Sequence, residues 1–171
     1  MTFVRVAVAL LVAYLVHLVG LAITPGFSRW VDPFLVIVVW YSLRTSPVGA
    51  EVIGTVTGLL QDALSGGLFG LHAFADTVVA YAVSLVAQRV VVGQQAVRVL
   101  IFAAAALVQQ LLLVGLLVSM LDEPPLPTVG AVVTKVITSS LLGALFISME
   151  NRARSQWSIW QRRRSGRLRF R

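Results

Sequence analysis

Five titratable side chains in this sequence sit inside apolar runs: His17, Asp62, His72, Asp76 and Lys135. The stretch GLLQDALSGGLFGLHAFAD, Gly58 to Asp76, holds three of them. Several kinds of chemistry suit such groups. His72 and Asp76 lie four residues apart, so on a helix they share a face and can share a hydrogen bond or a proton. A lysine facing an aspartate forms an ion pair that shields both charges from lipid. Imidazoles and carboxylates can also hold a metal, but two histidines without any cysteine make a poor ligand set. The group therefore reads as a proton relay, as a pocket for a polar ligand, or as an ion-paired scaffold. The sequence favours the scaffold, because little continues a charged path across the membrane. Glu51 lies near the opposite face, and Gln109 and Gln110 are the strongly polar residues at mid-depth.

Enzyme signatures do not occur. There is no H-E-x-x-H, no G-x-S-x-G and no P-loop, so the chain is read neither as an enzyme nor as able to power transport itself. Ser65, before two glycines, is explained as a turn residue. No metal or other cofactor is expected.

The elements that position these groups must be helices in lipid. Hydrophobic residues make up 58% of the 171 residues, charged ones only 12%, and mean hydropathy is +0.89. A water-soluble fold of this size has too little interior to hide such runs. The expected fold is an all-α integral membrane protein with six transmembrane helices: Phe3–Ile23, Pro33–Leu43, Val48–Leu64, Phe69–Val90, Val97–Met120 and Val129–Met149. The first run is too long for a signal-peptide core, and no good A-x-A site follows it. Asp32 before Pro33 and Ser46 before Pro47 read as N-caps followed by a first-turn proline. Ser65-Gly66-Gly67 makes a tight turn, and DEPPLP from Asp122 ends the fifth helix. The second segment is short for a full crossing of about 20 residues, with Trp40 and Tyr41 expected as interface anchors at its end.

Charge sets the orientation. With six spans and a cytoplasmic N-terminus, Arg5, Arg44, Arg89, Arg98 and the tail lie inside, while Arg29 beside Asp32 lies outside with Asp122 and Glu123. At about 1.5 Å per residue, Asp62 and His72 fall near the outer surface and Asp76 and Lys135 somewhat deeper. His17 shares that outer half, so the five groups form one polar layer. Within it, Asp76 is the best-matched partner for Lys135, and Asp62 the second choice. Gly54 and Gly58 make a GxxxG on the face of Asp62, which lets another backbone approach closely.

The net charge of +7 belongs to the C-terminus, where eight arginines follow Glu150 and no acid does. The chain divides into a six-helix domain, residues 1–151, and a basic cytoplasmic tail, residues 152–171. In the tail, Trp157 and Trp160 stand beside Arg162, Arg163 and Arg164, a pattern suited to anionic membrane lipid. Nucleic acid is not an expected partner, because no folded basic surface presents the charge.

Gly58-x-x-x-Asp62, then Ser65-Gly66 and Gly70-x-His72, resembles the central motif of the MreD family of bacterial rod shape-determining membrane proteins. The short second span, Val79–Tyr81, the length and the basic C-terminus fit the same family, while Asp76 stands where its pattern has an apolar residue. The resemblance implies a non-enzymatic scaffold subunit of the cell-elongation complex in the bacterial inner membrane, with both termini cytoplasmic. Its direct partner would be MreC, and through it the elongation transpeptidase and the MreB filament, so that it helps regulate side-wall peptidoglycan synthesis. Gly54, Gly58, Asp62, Ser65, Gly66, Gly67, Gly70 and His72 would lock the third and fourth helices into a rigid hairpin. The fold would be related to that of the substrate-binding component of energy-coupling-factor vitamin transporters. That component is the alternative reading: Ala9-x-x-x-Ala13 would meet a coupling protein, and the polar layer would line a ligand pocket.

Overall fold

A computed structural model describes residues 3–24, 26–90, 94–124 and 126–167, without the side chains of 3 and 150–167. It contains α1 (Phe3–Ile23), a short 3-10 turn (Phe27–Arg29), α2 (Pro33–Ser42), α3 (Pro47–Ser65), α4 (Leu71–Arg89), α5 (Gln95–Met120) and α6 (Val129–Arg167). Both expected N-caps form. The Asp32 side chain accepts from the Leu35 amide at 3.0 Å and Ser46 Oγ from the Gly49 amide at 3.4 Å, with Pro33 and Pro47 in the first turns. Among the described residues, α1, α4, α5 and α6 are long and apolar enough to cross a membrane. α2 is too short for that, and α3 is long enough but not sufficiently apolar.

α2 nevertheless occupies the middle of the bundle. It touches every other helix, and all of its residues but Tyr41 are buried. Phe34, Leu35, Val36, Ile37 and Val39 pack in one cluster with Ala9 and Ala13 of α1, Val79 and Val83 of α4, Phe102 and Ala106 of α5, and Ile147 of α6. A helix so enclosed meets protein rather than acyl chains, so its length is not set by the bilayer. Trp40 is correspondingly a core residue, not an interface anchor: it is 5% exposed, with its ring edge-on to Phe146 at 5.5 Å and the Arg44 guanidinium 5.2 Å from its centroid. Ala9 and Ala13, also buried, serve contact within the chain.

The most extensive pairing is α3 against α4, and glycine makes it possible. A Cβ on Gly54 would lie 2.6 Å from the backbone oxygen of Asp76, and one on Gly58 would collide with the backbone of His72 and Ala73. Thr55 Oγ1 and Thr77 Oγ1, 2.7 Å apart, bridge the same two helices. On the outward faces, Val48, Val52 and Val56 of α3 and Phe74 and Tyr81 of α4 stay exposed, as do Val4, Val8, Leu11 and Leu15 of α1. α6 runs past the expected Met149 as one helix to Arg167. The side chains of Trp157, Trp160, Arg162, Arg163 and Arg164 lie outside the described residues.

Candidate functional site

The turn between α3 and α4 is shaped by two glycines with left-handed backbone, Gly66 at φ 64° and Gly70 at φ 100°. Gly70 is the N-cap of α4 and has no side chain to offer the free amides of the first turn. Asp62, one turn before the end of α3, supplies the acceptors instead. Its Oδ2 accepts from the amides of Gly70 at 2.8 Å and Ala73 at 3.2 Å, and its Oδ1 from the amide of His72 at 3.1 Å. His72 Nδ1 lies 2.8 Å from the same Oδ1. Since a carboxylate oxygen accepts, the ring nitrogen donates. A carboxylate of one helix thus caps the next, where the positive end of the helix dipole also favours it. Ser65 Oγ completes the turn by donating to the Asp62 carbonyl at 3.1 Å. Gly67 has neither a positive φ nor a close neighbour, and so takes no special part.

A second network lies deeper and departs from the expected pairing. Lys135 Nζ lies 3.3 Å from Oδ2 of Asp32, not against Asp76 or Asp62. The same oxygen accepts from Gln61 Nε2 at 3.1 Å and Gln109 Nε2 at 3.3 Å, while Asp32 Oδ1 caps α2. Asp76 instead accepts from Gln109 Nε2 at 2.7 Å, and its Oδ2 has no partner. His72 is likewise turned to Asp62, so the expected bond to Asp76 does not form. The physical reason is the position of α2. Asp32 at its start is buried at 1% exposure rather than resting at the surface beside Arg29, and its carboxylate reaches the level of Lys135. With lysine and two amide donors on one oxygen, the buried charge has the extra hydrogen bonds that such a pair requires.

The expected layer is therefore divided. Asp62 and His72 belong to the clasp, and Asp76 and Lys135 to the deeper network through Gln109 and Asp32. His17 rests against Phe34 at 5.4 Å and Phe27 at 6.4 Å, ring to ring, with Nδ1 unpartnered. Asp32 as an ion-pair partner, and Gln61 as its ligand, were missed by the sequence reading. The polarity of Gln61 within an apolar run was the available signal. Among the described residues no group of three or more metal-ligating side chains occurs.

Beside both networks lies a cavity of about 460 Å³, lined by residues of α1, the 3-10 turn, α3, α4, α5 and α6. It opens at the end of the bundle where α1, α3 and α5 finish.

The family described as rod shape-determining protein MreD matches residues 1–149, from the chain's start through all six helices up to Met149. The chain belongs to the MreD family. With four helices suited to crossing a bilayer, it is a multi-pass, rod shape-determining protein of the bacterial inner membrane. No curated protein and no solved structure matches it. The MreD match lends no support to the vitamin-transporter reading, and MreD proteins are shape-determining structural proteins rather than a known enzyme family. Within this MreD chain, the motif residues Gly54, Gly58, Asp62, Gly66, Gly70 and His72 all meet at the α3–α4 hairpin.

Proposed function

We propose that the chain is a non-enzymatic scaffold subunit of the cell-elongation complex, holding MreC beside it in the membrane. Through MreC it would act on the transpeptidase that builds the side wall, above the MreB filament. The observation that carries this reading is the Asp62 clasp. Four hydrogen bonds accepted by one carboxylate fix the angle between α3 and α4, as a presenting surface requires. That hairpin leaves Val48, Val52 and Val56, spaced four apart, and Phe74 exposed. Such a ridge suits the single span of a partner, which in lipid associates by close packing. The chain crosses six times, with α2 and α3 completing the bundle and both termini cytoplasmic. The tail rests on anionic lipid. Kinship with the transporter-component fold is part of the same reading, and superposition on such a component tests it.

Affinity purification of the full chain from native membranes in mild detergent, read by mass spectrometry, is the direct test. Recovery of a single-span protein with a coiled coil and an extracytoplasmic β domain supports the proposal. Recovery of a multi-span coupling protein with ATPases, and no such single-span partner, would sink it.

A further inference from the structure

The cavity has a chemical character that scaffolding does not require. Its polar lining includes His17, Arg29, Gln61, His72, Gln110 and Lys135, and no acidic residue is among the residues lining it. Asp32 and Asp62 are close by but lie behind Lys135 and His72, with their oxygens engaged. Three lining residues are more than nine-tenths buried and each keeps a polar atom without a partner: His17 Nδ1, Gln61 Oε1 and Gln110 Nε2. A buried polar atom left without a partner loses the hydrogen bonds it makes to water, so a polar occupant is favoured there. Lys135 spends one contact on Asp32 and an ammonium has three donors, so capacity is left toward the cavity. The rest of the lining is largely apolar, with Leu113 and Leu117 of α5, Leu126 of the loop that follows it and Val132 of α6.

We propose that this cavity binds a phosphate-bearing anion, and that its mixed polar and apolar lining suits the headgroup and first methylenes of an anionic phospholipid. Arg29 and Lys135 supply charge, the Gln110 amide donates to phosphoryl oxygens, and Gln61 Oε1 accepts from a headgroup hydroxyl. Phe27 and Phe34 hold the His17 ring in place. The inference concerns residues outside the exposed α3–α4 ridge and stands whether or not MreC is the partner.

The full chain, purified in a neutral detergent, is titrated with phosphatidylglycerol or phosphatidylcholine and read by native mass spectrometry. Inorganic pyrophosphate is titrated separately by calorimetry. The variants are Arg29→Gln and Gln110→Leu, neither of which touches the clasp or the Asp32 network. Phosphatidylglycerol is expected to bind about tenfold more tightly than phosphatidylcholine, with that preference lost in both variants. Binding of pyrophosphate that both variants weaken also supports a phosphate site, and assigns it to a free anion if the lipid preference is absent. Equal retention of the two lipids without pyrophosphate binding overturns the proposal. So does a preference, for lipid or pyrophosphate, that persists in either variant.

Discussion

Asp62 takes up the free amide donors at the start of a helix to which it does not belong, and its loss leaves three of them without that acceptor at once, the Ala73 amide buried. Asp62→Ala is therefore expected to destabilise the protein by about 2–4 kcal/mol, read as thermal unfolding in detergent. Asp76→Ala gives up one bond from Gln109 and removes an oxygen that has no partner, so about 1 kcal/mol is expected. If MreC binds the hairpin, Asp62→Ala also lowers complex yield more than Asp76→Ala does, and equal yields would undermine the clasp as the determinant. The Asp32–Lys135 pair allows a cleaner comparison. Lys135→Met leaves a buried carboxylate uncompensated and is expected to cost about 3–5 kcal/mol. Adding Asp32→Asn keeps an acceptor for the Leu35 amide while removing that charge, so the double variant should unfold later than Lys135→Met alone. An unfolding midpoint no higher than that of the single variant would show that the pair carries no such strain.

Between elements, the glycines of the hairpin separate into kinds that a substitution series can resolve. Gly58→Ala drives a methyl into the backbone of α4, and overpacking of that sort costs about 1–3 kcal/mol. Gly66→Ala meets no neighbour but is held at φ 64°, for about 1–2 kcal/mol. Gly67→Ala has neither handicap and should change stability by less than about 0.5 kcal/mol. Thermal unfolding that ranks Gly67→Ala with Gly58→Ala would contradict this account of the turn. Much of this was legible beforehand. Pro33 and Pro47 mark helix starts by removing a donor that the first turn does not use, and the GxxxG on the Asp62 face marks a close helix contact. What was not legible was the partner of Lys135. Depth along a span can be counted from the surface only for helices that cross at full length. α2 does not, so the level of Asp32 had no ruler, and Trp40 was read as interfacial for the same reason. Gln109 was visible as a polar residue at mid-depth, but nothing in its own helix points to Asp32 and Asp76 on two others.

For the whole molecule, alternation of the helices places Arg5, Arg44, Arg89 and Arg98 at one end and Arg29, Asp122 and Glu123 at the other. Natural cysteines are absent, so single-cysteine variants report sidedness without background. In intact spheroplasts, Asp122→Cys is expected to react with a membrane-impermeant maleimide, and Thr45→Cys only after permeabilisation. The reverse pattern would invert the proposed orientation and place the phosphate cavity on the cytoplasmic side. The enclosure of α2 has a further consequence, for biogenesis. Its 10 residues extend about 15 Å, half of a hydrocarbon core about 30 Å thick. Alone in lipid, it would leave its terminal backbone groups without water or protein to meet them. A nascent chain released just after Ser42 therefore has no stable resting place for this segment. α2 must wait beside the insertion machinery or at the bilayer surface until later helices arrive to surround it. The most deeply buried helix of the fold is then among the first to be synthesised and among the last to be settled.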